Sequence, residues 1–301
     1  MAKPDTKAGF VALIGAPNAG KSTLLNAFMG TKLAIVTHKV QTTRTRISGI
    51  TIRDKSQIIF VDTPGIFLNT KHRLDRAMVD AAWKGVRDAD LTVLVVDAAR
   101  GPSNNVKFII ERLKEQKIPA VLALNKVDAI KREKLLALAT EFDGTGAFSD
   151  IFMISALKGD GVDDLFDHIA GRLSPGPWLY PEDQMTNVSL RFLASEITRE
   201  KVFLNLHQEL PYAIAVETIE WKEKGDGSVR IEQNVLCDRD NHKAMVIGKK
   251  GAMLKKIGET ARTDMADIFG RKVHLFLYAK VSRDWANKPY HYRDIGLDFV
   301  E

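Results

Sequence analysis

The stretch "GAPNAGKS", residues 15–22, follows the apolar run "FVALIG" (10–15) and opens a helix-like segment near 21–29. It satisfies G-x-x-x-x-G-K-[ST] in the strand-to-helix setting that the pattern requires. Gly15 and Gly20 let successive backbone N–H groups turn inward around phosphate oxygens, and the helix N-terminus adds partial positive charge. Ala16, Pro17, Asn18 and Ala19 complete the cradle. Lys21 is placed to reach the β- and γ-phosphates, and Ser22 offers a hydroxyl oxygen to Mg²⁺.

Four more apolar runs flank this loop: "QIIFVD" (57–62), "LTVLVVD" (91–97), "AVLALN" (120–125) and "IFMIS" (151–155). Each is apolar on both faces, as buried parallel strands are. Helical patterns near 73–89, 104–117, 131–142 and 162–173 separate them. The rhythm predicts an α/β domain with a mostly parallel, doubly wound sheet. "ISGITIRD" (47–54) alternates and lies just before 57–62, which predicts one antiparallel edge strand.

The strand ends carry the chemistry. "DTPG" (62–65) would hold Mg²⁺ through water on Asp62 and offer the Gly65 N–H to the γ-phosphate, with Thr63, Pro64 and Ile66 beside it. "NKVD" (125–128) ends a strand, and the Asp128 carboxylate accepts hydrogen bonds only. Guanine presents donors at N1 and N2, and adenine presents none there. Asn125 can bridge loop backbone and base, the Lys126 stem can lie over the ring, and the Ala156 N–H of "SAL" (Ser155, Ala156, Leu157) can reach O6. A site built to pair donors rejects a base that lacks them. "NKPY" (287–290) begins like "NKVD" but has no Asp and no buried strand before it, so it is set aside. With all four signals at strand C-termini, where α/β ligands bind, the pattern implies a guanine-nucleotide site. It resembles the G domain of the translation-factor-type GTPases.

"HKVQTTRTR" (38–46) sits where a first switch would lie, with Thr43 the favoured ligand of Mg²⁺ and γ-phosphate and Thr42 beside it. Ile66 occupies the place where Ras-like enzymes orient water with Gln, and an apolar side chain cannot do that. A backbone group, another residue or an ion must. Asn18 is a candidate K⁺ ligand there, or else it caps the loop.

"SPGPWLYPEDQ" (174–184) reads as a linker, giving domains of 1–173 and 190–285 around a 174–189 connection, with a tail at 286–301. A helical pattern over 190–210, stopped by Pro211, is followed by two strand-like runs around a Gly-Asp-Gly turn. A short helical piece, "GKKG" (248–251), an amphipathic helix and the strand "VHLFLYAKV" (273–281) complete the order α-β-β-α-GxxG-α-β. This topology resembles a type II KH domain, a smaller α+β fold whose GxxG loop clamps a nucleic-acid backbone. Gly248 and Gly251 would let the chain approach phosphates, and Lys249, Lys250, Lys255 and Lys256 would supply charge. Ile247, Leu254 and Ile257 would line a groove for bases.

Composition agrees with a soluble globular chain: 45% apolar, 27% charged, and one cysteine, which excludes an internal disulfide. No apolar run approaches the roughly 18 residues of a membrane span, and no signal-peptide core precedes the first strand. The net charge of +6 resides in the first 180 residues, because residues 181–301 hold 19 basic and 19 acidic side chains. Within that neutral half, 241–258 carries five lysines and no acid, a local patch fit for an anion.

Taken together, "GAPNAGKSTLLNAFMG", "QTTRTR", "DTPGI", "NKVD", "PEDQMT", "ASEITREK", "LPY" and "VIGKKGAMLKKIG" resemble the Era family of bacterial GTPases over almost the whole chain. The resemblance implies GTP hydrolysis and binding of the 3′ region of small-subunit (16S) ribosomal RNA. It also implies a part in 16S rRNA processing and 30S ribosomal subunit biogenesis. The single cysteine fits a reducing cytoplasm, the resemblance implies weak peripheral association with the cytoplasmic face of the inner membrane, and a monomer with no DNA partner is expected. The contrasting expectation is a signalling GTPase whose C-terminal domain grips a protein effector.

Overall fold

The structure is a computed structural model that describes residues 5–36, 47–68, 70, 72–206, 214–283 and 285. The chain divides into two compact units, residues 1–34 with 43–187, and residues 35–42 with 188–301.

The first unit is built on a six-stranded sheet of order β2-β3-β1-β4-β5-β6. Its strands are β1 (Lys7–Ile14), β2 (Ile47–Arg53), β3 (Ser56–Asp62), β4 (Leu91–Asp97), β5 (Ala120–Asn125) and β6 (Phe148–Ile154). Only β2 runs antiparallel, as its alternating pattern predicts, and it forms one edge. The central strands β4 and β5 are buried at every position, which explains their unbroken apolar runs. β6 begins at Phe148, three residues before the expected start, because this edge strand is half-buried and tolerates Ser149 and Asp150.

Helices cover both faces. Trp83 of α2 (Arg73–Arg87) lies in one core with Ile109 and Leu113 of α3 (Asn104–Glu115) and Phe142 of α4 (Arg132–Asp143). On the other face Phe28 of α1 (Lys21–Met29) stacks on Phe60 of β3 at 4.5 Å, and Phe166 of α5 (Val162–Arg172) tilts against both. The caps are local. Ser103 starts α3 by accepting the Val106 N–H, whereas α1 starts on left-handed Gly20 with no side-chain cap. The N–H groups of α1 are thus left for a ligand.

The Pro-rich stretch after α5 is ordered against the first unit. Pro175 bridges Lys7, the Gln57 side chain holds Leu179 and Tyr180, and the Ile50 N–H donates to the Met185 carbonyl at 2.8 Å. An exposed edge strand needs cover, and proline-extended chain supplies it without a helix.

The second unit carries α6 (Leu190–Asn205), β7 (Ile214–Glu223), β8 (Val229–Cys237), α7 (Asp240–Ile247), α8 (Ala252–Phe269) and β9 (Val273–Val281). Its sheet order is β7-β8-β9, with β7–β8 antiparallel and β8–β9 parallel. This is the α-β-β-α-GxxG-α-β order expected of a KH fold. Val202, Phe203, Val216, Val235, Val246 and Ile257 form one part of its core. α6 ends at Asn205, and the stop assigned to Pro211 lies outside the described residues.

α6 is not a one-faced amphipathic helix. Every residue from Leu193 to Glu200 is buried, charged ones included. Arg199 pairs with Glu196 through both ends of its guanidinium. The Glu200 carboxylate accepts the Val36 N–H at 2.9 Å, and Lys201 joins Glu200 to Asp264. A buried charge persists only when paired in this way.

Candidate functional site

Four loops meet at the C-terminal ends of β1, β3, β5 and β6. The 15–22 loop has Gly15, Asn18 and Gly20 in positive-φ backbone. Lys21 is buried, with its ammonium donating to the Gly15 and Ala16 carbonyls at 3.2 Å each. Burial pushes this lysine down to about 8, against the upward pull of the Asp62 carboxylate. Ser22 Oγ donates to Asp62 Oδ2 at 2.7 Å, so the two expected Mg²⁺ ligands already converge. A hydroxyl and a carboxylate, both hard oxygen donors, suit Mg²⁺ completed by phosphate oxygens and water. Among the described residues no cluster of three or more His, Cys, Asp or Glu offers an all-protein cage.

The 62–66 segment packs on the phosphate loop through its main chain. A side chain at Gly65 would sit 2.9 Å from Pro17, so the close approach requires glycine. The Ile66 N–H donates to the Gly15 carbonyl at 3.1 Å, while its side chain is fully buried in the core. Ile66 can therefore meet a ligand only through backbone. The Thr63 hydroxyl likewise is spent inside, on the Leu13 carbonyl at 2.8 Å, and Pro64 is buried. Thr42 and Thr43 lie outside the described residues.

Asn125 ties the loops together. Its Nδ2 donates to the Ala19 carbonyl at 2.9 Å, and its Oδ1 accepts the N–H groups of Lys126 and Ala156. The Ala156 N–H, expected on the O6 of a base, is thus held by Asn125. Asp128 Oδ1 accepts the Ser155 hydroxyl at 2.7 Å, which holds the carboxyl below its usual range. The second oxygen remains an acceptor in keeping with the donors of guanine. Leu157 is 80% exposed and makes no wall. Lys126, in left-handed backbone, carries its ammonium to the Asn18 carbonyl at 2.8 Å and to Asp97 Oδ2 at 2.6 Å. Asp97 was not singled out from sequence; its only trace there is an acid ending an otherwise apolar strand.

In the second unit, α7 runs into the GKKG turn and α8 follows. Gly248 has φ +70, and a Cβ there would sit 2.6 Å from that of Met253. Lys249 and Lys250 are exposed, and α8 begins on left-handed Gly251 with no side-chain cap, leaving its N–H groups for an anion. Ile247 and Leu254 are half-buried, and Lys255 and Lys256 are exposed on α8. Ile257, expected in the groove, is instead fully buried in the core. Its spacing along α8 puts it one turn past the open end. Met245, 49% exposed on α7, presents apolar surface that sequence reasoning missed.

A family model described as 50S ribosome-binding GTPase matches residues 10–126, and a KH domain model matches 209–286. A GTPase Era from Mesorhizobium japonicum is 53% identical over 98% of this chain and 95% of its own. One from Dinoroseobacter shibae is 52% identical over 98% and 96%. Among solved structures, a point variant of Aquifex aeolicus Era bound to GDP·AlF₄⁻ superposes with a TM-score of 0.92 at 38% identity, covering 97% of this chain and 99% of the other. Era in complex with MgGDPNP and nucleotides 1506–1542 of 16S ribosomal RNA gives 0.92 at 39% identity, with the same coverage.

Proposed function

The chain belongs to the Era family of GTPases, and from that premise we propose that it hydrolyses GTP at the 15–22 loop and binds the 3′ region of 16S ribosomal RNA through the GKKG loop. The observation that carries the nucleotide half is the Asn125 side chain, which joins the phosphate loop at Ala19 to the 155–157 loop at Ala156. One residue thereby sets phosphate cradle and base pocket at a fixed separation.

Within this reading each group has a task. Lys21 and the N-terminus of α1 neutralise the phosphates, and the Gly65 N–H meets the γ-phosphate. Asp128 accepts from guanine N1 and N2, with the Lys126 stem over the ring. Ser22, Asp62 and Thr43 would hold Mg²⁺, which when bound withdraws negative charge from the β- and γ-oxygens. The buried Ile66 leaves water orientation to main chain or to a bound ion. K⁺ held by the Asn18 side chain would supply charge where an arginine finger otherwise acts. Turnover in matched KCl and NaCl buffers tests it: faster hydrolysis in KCl, lost in Asn18→Ala, is expected.

For the RNA half, Lys249, Lys250 and the open N-terminus of α8 meet backbone phosphates, and Ile247, Leu254 and Met245 offer apolar surface to bases. The reading places the protein in the cytoplasm with the assembling 30S subunit. No helix among the described residues is long and apolar enough to cross a membrane, and the membrane association in this reading is weak and peripheral. Competition decides between readings. Unlabelled GTP should displace a fluorescent GDP analogue at concentrations at least a thousandfold below ATP, and a 3′-terminal 16S fragment should outcompete its scrambled sequence. Comparable displacement by ATP would overturn the nucleotide assignment, and equal RNA competition would overturn the rRNA assignment.

A further inference from the structure

β4 ends on Asp97, a nine-tenths buried carboxylate that none of the nucleotide motifs includes. Its Oδ1 accepts the Ala99 N–H at 3.0 Å, fixing the turn after the strand. Its Oδ2 accepts the Lys126 ammonium at 2.6 Å, while Arg100, largely exposed, stands off at 3.6 Å. The same ammonium donates to the Asn18 carbonyl at 2.8 Å. One residue earlier in the base loop, Asn125 Nδ2 donates to the carbonyl one residue later in the phosphate loop, that of Ala19. Two consecutive side chains of the base loop therefore grip two consecutive carbonyls of the phosphate loop.

The two grips differ in how they are secured. Asn125 is short, 2% exposed, and fixed by three bonds. Lys126 is a flexible four-carbon stem, one-third exposed, whose ammonium water would readily solvate. What it holds is a loop residue, Asn18, in left-handed backbone, whose carbonyl direction the ammonium fixes. The charged bond from Asp97 keeps the ammonium on the Asn18 carbonyl.

We propose that Asp97 is a positioning residue for the bound nucleotide: by fixing Lys126 on Asn18 it sets how long the nucleotide stays. The inference rests on reading the site as a guanine-nucleotide site. Asp97 acts through the ammonium, whose tip braces the phosphate loop and whose stem would lie over the base.

Asp97→Asn tests this, because it preserves volume and the acceptor for Ala99 while removing the charge. Release of a fluorescent GDP analogue, chased with excess GDP, should accelerate about tenfold or more, the worth of a charge-assisted hydrogen bond. The preference for GTP over ATP should hold, because Asp128 and Ser155 are untouched. In a Lys126→Ala background the same substitution should add no further acceleration, a non-additivity that a merely structural role would not produce. Unchanged release, or equal acceleration in both backgrounds, overturns the proposal. Should Asp97→Asn not fold, Asp97→Ser keeps an uncharged acceptor for Ala99 and reads the same contact. If neither folds, Asp97 serves the fold and the proposal is overturned. Wild-type protein that binds ATP as well as GTP would sink the nucleotide reading and this proposal with it. Selective guanine binding with unaltered release sinks the proposal alone.

Discussion

Lys21 shows what burial does to a phosphate-binding charge. Its ordinary value is 10.5, and desolvation lowers it to about 8 in the folded protein. A bound polyphosphate favours the ammonium and raises that value again. Below pH 8 the lysine is charged with or without nucleotide, so affinity should be flat. Above pH 8 binding must take up a proton, and affinity should fall by about tenfold per pH unit. Titrating a fluorescent GDP analogue between pH 7 and 9.5 checks this, and calorimetry at pH 8.5 should register the proton taken up. A profile with no break near 8 would contradict it. The same residue illustrates what a sequence discloses. Lys21 is legible because its partners, Gly15 and Ala16, lie within one loop whose glycine spacing has few uses. Asp97 is not legible, because the partner that gives it meaning stands 29 residues away. The bond from Ala156 to Asn125 is not legible either, since it depends on how two strand ends meet.

Secondary-structure elements were legible in proportion to how local their causes are. The doubly wound order of the first unit follows from apolar runs alternating with helical periods, and the antiparallel β2 follows from its alternation. The strap from Pro175 to Thr186 was invisible as structure, because its hydrogen bonds go to β1 and β2, far earlier in the chain. α6 carries charges whose burial the sequence does not disclose. Glu196, Arg199 and Glu200 look like a solvated face until their partners are known. Arg199→Met should therefore destabilise the second unit by about 3 kcal/mol, since it leaves Glu196 buried and unpaired. Adding Glu196→Leu should recover much of that loss in urea unfolding, and no recovery would argue against a pair. The GKKG turn gives a second expectation at this scale. Exposed Lys249 and Lys250 lie at the open end of α8, so replacing both with Ala should weaken RNA binding. It should also flatten the log–log salt slope by about 1.4, at roughly 0.7 per phosphate contact on a single strand. Nucleotide affinity should not change. RNA binding that kept its slope would reduce GKKG to a turn.

At the scale of the whole molecule the two units are not consecutive pieces of chain. Ile35 and Val36 belong with the second unit, β2 returns to the first, and the path leaves again after residue 187. A fragment of residues 188–301 therefore lacks the Val36 N–H that Glu200 receives in the full protein. Its unfolding free energy should fall short of that of the same unit in the intact chain by about 1.5–3 kcal/mol, the range for a hydrogen bond to a charged group. Urea denaturation of the fragment beside the full chain, followed by amide hydrogen exchange in the second unit, measures the difference; equal stabilities would show the bond to be dispensable.

That bond from Val36 to Glu200 has a consequence for ancestry. A gene rearrangement that exchanged everything beyond residue 187 would transplant a module whose missing donor stayed behind in the host. Grafts of that kind start at a deficit, so the two halves are expected to travel through evolution as a matched set rather than as interchangeable parts.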